Sequence, residues 1–151
     1  MIIRAETPAD PAAIGAVLVE AFGGEQEAAL VEDLRQDGAL TVSLVAEIEG
    51  RIVGHVALSA LKSPLCALAL APLAVSTTRQ RQGIGSALIR SAIDGAGGLG
   101  ATLVFILGDP NYYRRFGFTI ETAAPFPSPY AGPHFMALKL TANDVAPEPV
   151  I

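Results

Sequence analysis

Apolar residues recur along this chain at two spacings, and each spacing marks a different kind of element. Ile14, Val17, Leu18, Ala21 and Phe22 return every three or four positions, the period of a helix with one buried face. Asp10 stands where an N-cap belongs, and Pro11 occupies the first turn, where its missing N–H costs nothing. Gly23-Gly24 interrupts the pattern. Glu25 to Gln36 then reads as a second helix with Leu30, Val31 and Leu34 inward and Glu27, Glu32, Asp33 and Arg35 outward. Strict alternation follows at Leu40, Val42, Leu44, Ala46 and Ile48. With a turn at Glu49-Gly50 and a second run from Ile52 to Leu58, this predicts an antiparallel hairpin.

From Cys66 to Val75 both alternating faces are apolar, as in a strand buried centrally in a sheet, and Cys66 reads as a small buried hydrophobe there. From Ile84 the spacing Leu88, Ile89, Ala92 and Ile93 marks a helix, amphipathic from near Ser86, that is ended by Gly95 to Gly100. Ala101 to Leu107 reads as the next buried strand and Pro110 to Phe116 as a short helix. Strands at Ile2 to Ala5, near Phe118 and at Phe135 to Leu140 complete the set. The expectation is one α+β domain over residues 1–145, a mixed, mostly antiparallel sheet flanked by helices in an α/β three-layer arrangement, with residues 146–151 frayed.

The junction Gln80-Arg81-Gln82-Gly83-Ile84-Gly85, leading to Ser86, carries the clearest chemistry. It joins a buried strand to a helix. Glycines at 83 and 85 let the backbone approach an anion without Cβ interference, and the N–H groups and positive dipole end of the following helix attract it. Arg79, Arg81 and Arg90 flank the loop. A second glycine run, Gly95 to Gly100, fits Gly-x-Gly-x-x-Gly in letters only, because it follows a helix and opens a strand. Lys62 and Lys139 are the only lysines, so no nucleoside triphosphatase loop is present.

The loop resembles the acetyl-CoA-binding pattern Gln/Arg-x-x-Gly-x-Gly/Ala of GNAT-type N-acetyltransferases, met by Gln80, Gly83 and Gly85. An independent match lies at Tyr113-Arg114-Arg115-Phe116-Gly117-Phe118, where the family places Tyr-x-x-x-Gly-Phe. The fuller string from Gly108 to Phe118, with Ala71-Pro72-Leu73-Ala74-Val75, is similar to the YhbS-like branch. This resemblance implies the GNAT (acyl-CoA N-acyltransferase) fold and direct acetyl transfer from acetyl-CoA, the cosubstrate, to an amine in a ternary complex. It further implies that Leu73 and Val75 pair with the pantetheine arm, and that an N–H near Leu73 polarises the thioester carbonyl and stabilises the oxyanion. Gln80, Arg81, Gln82, Gly83, Ile84, Gly85 and Ser86 would hold the pyrophosphate. Tyr113 would be the general acid for the departing thiolate, since a phenol is protonated at neutral pH. Asn111 either binds the pantetheine arm or caps the short helix. A non-catalytic CoA-binding regulatory module is the alternative.

No motif identifies a general base: Glu25, Glu27, His55 and His134 are candidates for which structural or solvated roles weigh more. The acceptor expected is a small-molecule or peptide amine, with a protein lysine and a hydroxyl also left open, as is a homodimer. A net charge of −5 argues against nucleic acid. No apolar run approaches the ~20 residues of a membrane span. One cysteine provides neither a disulfide nor a metal cluster, which suits the cytoplasm and no metal.

Overall fold

In the computed structural model, which describes residues 1–151, the strands are β1 (Ile2–Ala5), β2 (Leu40–Ile48), β3 (Arg51–Ala60), β4 (Ala67–Val75), β5 (Leu103–Leu107) and β6 (Phe135–Lys139). The helices are α1 (Pro11–Phe22), α2 (Gln26–Gln36), α3 (Ile84–Gly98), α4 (Pro110–Tyr113) and α5 (Ile120–Ala123). The strands form one sheet in chain order. β1 with β2, β2 with β3 and β5 with β6 are antiparallel, and β4 with β5 is parallel. Two compact units divide the chain: Met1–Ser59 with Ala71–Asp94, and Ala60–Leu70 with Gly95–Ile151.

In the first unit the β2–β3 turn is the mirror-image type that matches strand twist, with Glu49 at φ 52° and Gly50 at φ 75°. Ile14, Val17, Leu18, Val31, Val45 and Ala74 form the core. Three outward-inward assignments differ from the helical pattern, the first being Phe22 at the end of α1, which is 45% exposed. Leu30 is 43% exposed, because Val31 alone of the pair faces the core. Arg35 turns back to make two 3.1 Å hydrogen bonds with the Glu6 carboxylate. Asp10 stands at the N-cap position but makes no capping bond. Its carboxylate accepts from the Thr7 N–H at 2.7 Å and from Arg4 at 2.7 Å, and the Arg4 bond holds it far below the usual carboxylate range. A charged partner outweighs a neutral cap here.

Beneath α2 lies a buried polar chain. The Ser43 hydroxyl donates to Glu6 and therefore accepts from His55 Nε2–H at 2.8 Å. His55 is fully buried, and its Nδ1 has no hydrogen-bond partner. Burial drives its pKa from 6.5 down to about 4, against the favourable field of Glu6 and with the opposing charge of Arg35. The ring is thus a neutral structural group.

The second unit is built on Ala67, Leu103, Phe105, Ala123, Phe126, Phe135 and Ala137. Phe105 meets Phe126 edge-on at 5.2 Å and stacks on Phe135 at 5.4 Å. Four expectations are corrected here. No strand forms near Phe118: only an isolated bridge, Thr119 to Ala137, remains, because the Thr119 hydroxyl caps α5 by accepting from the Thr122 N–H at 3.1 Å. Cys66 is exposed at φ 61°, one residue before β4. Gly95 to Gly98 continue α3 instead of ending it. The C-terminal residues expected to fray are docked: Val145 and Val150 pack on the core, Lys62 N–H donates to Ile151 O at 2.8 Å and Val150 N–H to Pro127 O at 2.9 Å.

The His55 geometry sets a pH dependence. A histidine whose folded pKa lies below its unfolded value takes its proton more readily when unfolded, so its contribution is complete above about pH 6.5 and is lost as pH falls toward about 4. The loss is of the order of 3 kcal/mol. Urea midpoints measured between pH 7.5 and 4.5 should fall in wild type and stay much flatter in His55→Gln; equal slopes would assign the acid sensitivity to other groups.

Candidate active site

The end of β4 leads into the glycine loop. Leu73 and Val75 are half-buried. The parallel ladder pairs Ala67, Leu68 and Ala69 with Leu103, Val104 and Phe105. Pro72, which has no N–H, cannot extend it. Val75 O accepts a bond from Gln80 Nε2 at 3.4 Å. One 3₁₀ turn at Thr77–Arg79 precedes Gln80, which is extended at φ −71° and ψ 157°. Arg81 is left-handed at φ 65° and Gly83 at φ 81°. Ala87 N–H donates to Gly83 O at 3.0 Å, which makes Gly83 the residue leading into α3.

The helix starts at Ile84, where the apolar spacing also begins, and takes Gly85 and Ser86 into its first turn. Helix geometry leaves such leading N–H groups without intrahelical acceptors. Gln80, Arg81, Gln82 and Gly83 are exposed, whereas Ile84 is 2% exposed and anchors the turn. A Cβ placed at Gly83 would meet nothing within 4 Å, so the space over the helix start is open, and the positive φ is what calls for glycine. Backbone donors, a dipole end and the nearby Arg79 and Arg81 suit a bridging phosphate.

Sequence reasoning missed the brace of this loop. Glu20, on α1, accepts from the Ser76 hydroxyl at 2.9 Å, the Thr77 N–H at 3.1 Å and the Thr77 hydroxyl at 2.7 Å. These bonds, the Thr77 hydroxyl first, hold its carboxyl below the ordinary value. Only its helical position pointed to it, and that position is shared by any solvated glutamate.

In the second unit, α4 is capped by Asp109, whose Oδ1 accepts from the Asn111 N–H at 3.0 Å. The capping role considered for Asn111 is thereby filled by Asp109, and the Asn111 side chain is exposed. Tyr113 is half-buried, edge-on to Tyr112 at 5.0 Å and to Phe118 at 6.1 Å. Burial, with a smaller contribution from Tyr112, raises its pKa and keeps the phenol protonated. Arg115 is engaged with Tyr112, donating to its carbonyl at 2.9 Å and stacking 4.7 Å from its ring.

Of the base candidates, Glu25 is the exposed N-cap residue of α2 and Glu27 sits in its first turn, where a carboxylate complements the dipole. His134 is exposed and donates from Nδ1 to Gly108 O at 3.2 Å. No group of three His, Cys, Asp or Glu side chains is arranged to hold a metal ion.

A β4–loop–α3 unit with these angles, followed by β5 and an aromatic helix, defines an acyl-CoA transferase of the GNAT fold. The family model of the acetyltransferase (GNAT) domain matches residues 39–120. The N-acetyltransferase YhbS of Escherichia coli K12 is 41% identical over 124 residues, which are 80% of this chain and 74% of that protein. The crystal structure of Escherichia coli YhbS in complex with CoA superposes with a TM-score of 0.88 at 35% identity, over 97% of this chain and 87% of that one. A GNAT family acetyltransferase of Brucella melitensis in complex with acetyl-CoA gives 0.82 at 35% identity, over 96% and 91%. The chain belongs to the GNAT family of N-acetyltransferases.

The brace at Glu20 has a local readout. Glu20→Ala should accelerate hydrogen exchange at the Thr77 amide and lower the melting temperature at pH 7. The difference should shrink as pH falls below the ordinary glutamate range, since a depressed carboxyl pKa contributes only while the group is ionised. Unaltered exchange at Thr77 would show that the brace does not hold the turn.

Proposed function

We propose that the protein transfers an acetyl group directly from acetyl-CoA to an amine, with the β4–loop–α3 segment holding the donor. The observation that carries this is the left-handed Gly83, which leads directly into the N-terminus of α3 and has open space beside it. Acetyl-CoA supplies the activated acyl group. Gln80 to Ser86 bind its pyrophosphate through backbone N–H groups, with Arg81 adding charge. Leu73 and Val75 align the pantetheine arm by strand-like pairing, supported by the short β4–β5 ladder and by Pro72. The Leu73 N–H polarises the reacting carbonyl. Tyr113 gives its phenolic proton to the departing thiolate, and Asn111 contributes a polar contact to the arm.

The acceptor is a small-molecule or peptide amine, and Glu25 and Glu27 favour a cationic one by raising its local concentration. The compartment is the cytoplasm, where the exposed Cys66 thiol stays reduced.

Binding and turnover separate the roles. Gly85→Arg should abolish acetyl-CoA binding by calorimetry while circular dichroism stays native, and Tyr113→Phe should keep that affinity while turnover falls by about 10²–10⁴-fold. A correctly folded Gly85→Arg protein with unchanged affinity would sink the phosphate-loop assignment, and full turnover by Tyr113→Phe would remove the general acid.

For the acceptor, a panel of polyamines, amino acids and basic peptides should show cationic amines favoured over neutral ones. Glu25→Gln/Glu27→Gln should erase the preference, most clearly at low salt, where screening over ~8 Å at physiological ionic strength is relaxed. No response to the double substitution takes this corner out of the acceptor site.

A further inference from the structure

Gly108 links β5 to the cap of α4, and its backbone does not need glycine: its φ is not among the positive values of the chain. What it lacks is space. A Cβ built there would fall 2.4 Å from Tyr113 Cε2, 2.6 Å from Cδ2 and 3.4 Å from Cζ, and all three nearest atoms belong to that one ring. Real Cβ contacts do not approach so closely, and the first two atoms sit in the rigid body of the phenol, with no flexible tip to move aside.

The position of Gly108 is itself secured. Its N–H donates to the His134 carbonyl at 3.0 Å, and its own carbonyl accepts from His134 Nδ1 at 3.2 Å. The next pair along, Leu107 with Phe135, continues as β-ladder. The Tyr113 ring is also met edge-on by Tyr112 and Phe118, and α4 is fixed at its start by Asp109. The ring thus packs against two aromatic neighbours and a bare stretch of backbone that hydrogen bonds hold in place.

We propose that Gly108 is a positioning residue for Tyr113: its missing side chain, on a backbone clamped by His134, is the seat that sets where the phenol hydroxyl points. The inference rests on the reading of Tyr113 as the proton donor. In that step the amine nitrogen forms the new C–N bond and releases one proton to solvent, the C–S bond breaks, the sulfur takes the phenolic proton, and the tyrosinate recovers a proton from solvent. A methyl group at position 108 pushes the ring outward and moves the hydroxyl, and displacements of about 1 Å in a reacting group cost up to about 10²-fold in rate.

The test is a cycle of Gly108→Ala and Tyr113→Phe measured in steady state with acetyl-CoA. Gly108→Ala alone should lower kcat by about tenfold or more with KM for acetyl-CoA within about threefold of wild type. In the Tyr113→Phe background the same change should cost less than about twofold, because no hydroxyl remains to misplace. Equal losses in both backgrounds, or wild-type kcat in Gly108→Ala, would overturn the proposal. If Gly108→Ala does not fold, Gly108→Ala/Tyr113→Ala must fold, since the ring that the methyl meets is then gone; its failure to do so also overturns it.

A second readout is independent of turnover. With Tyr112→Phe and Tyr130→Phe, Tyr113 is the one remaining tyrosine, and its ultraviolet titration reports the seat directly. Adding Gly108→Ala should move that titration down toward the ordinary tyrosine range as the ring meets water. An unmoved titration overturns the seat. A moved titration with full activity in Tyr113→Phe confirms the seat and instead removes the general-acid reading.

Discussion

The close approach of α3 to β3 at Gly54 is the contact on which the candidate donor site depends. A Cβ at this position would lie 3.0 Å from Leu88 Cδ1, 3.1 Å from Ile84 Cγ2 and 3.2 Å from Ala74 O. Ile84 is the first residue of α3 and follows Gly83 directly, so any retreat of the helix from the sheet carries the loop with it. The other end of the loop is tied to α1 by Glu20 through Ser76 and Thr77. A segment with exposed side chains from Gln80 to Gly83 is thereby fixed at both ends while its middle stays open. That combination suits a loop whose backbone must be preorganised for an anion, because donors already in place need not be ordered on binding.

Polar groups buried or half-buried in the first unit are paired, with one exception at His55. Arg4 bridges Asp10 and Glu47, and Arg35 grips Glu6 while Glu6 accepts from Ser43 and Ser43 from His55. These links join β1, the start of α1 and α2 to β2 and β3, beside the apolar core that α1, α2 and β2 share. Their net worth is smaller than their number suggests, since each charge gives up hydration. Removing one partner costs more than the pair contributes, because the survivor stays buried and unmatched. His55 Nδ1, a lone acceptor without a donor, is the weak point of the chain.

Chemistry in the second unit depends on packing more than on charge. A phenol serves as a proton donor only while it holds its proton and points the right way. Burial raises the Tyr113 pKa and so keeps the proton, and in the proposed role the bare backbone at Gly108 sets the direction. Arg115, two residues beyond the phenol, is drawn to the Tyr112 ring and carbonyl, so a cation beside the tyrosine pair stabilises the aromatic group without neutralising it.

The sequence by itself determined what is local. The Glu49-Gly50 turn, the period of α1 and α3, the strand–glycine–helix order at residues 80–85 and the Tyr-x-x-x-Gly-Phe string each lie within a single stretch of 15 residues or fewer. Their physics is that of neighbouring dihedrals and faces, which letters in order express. Tertiary structure decided the rest. It turned Asp10 from a cap into an ion-pair partner, left Leu30 in water, exposed Cys66, replaced a strand near Phe118 by a Thr119-capped helix and docked the residues expected to fray. Glu20, Gly54 and Gly108 belong to the same group. A glutamate on a helix or a glycine in a strand carries no mark of the side chain that will meet it from dozens of positions away, or in the case of Gly108 across a helical turn. Only the fold supplies that neighbour, and with it the reason for the residue.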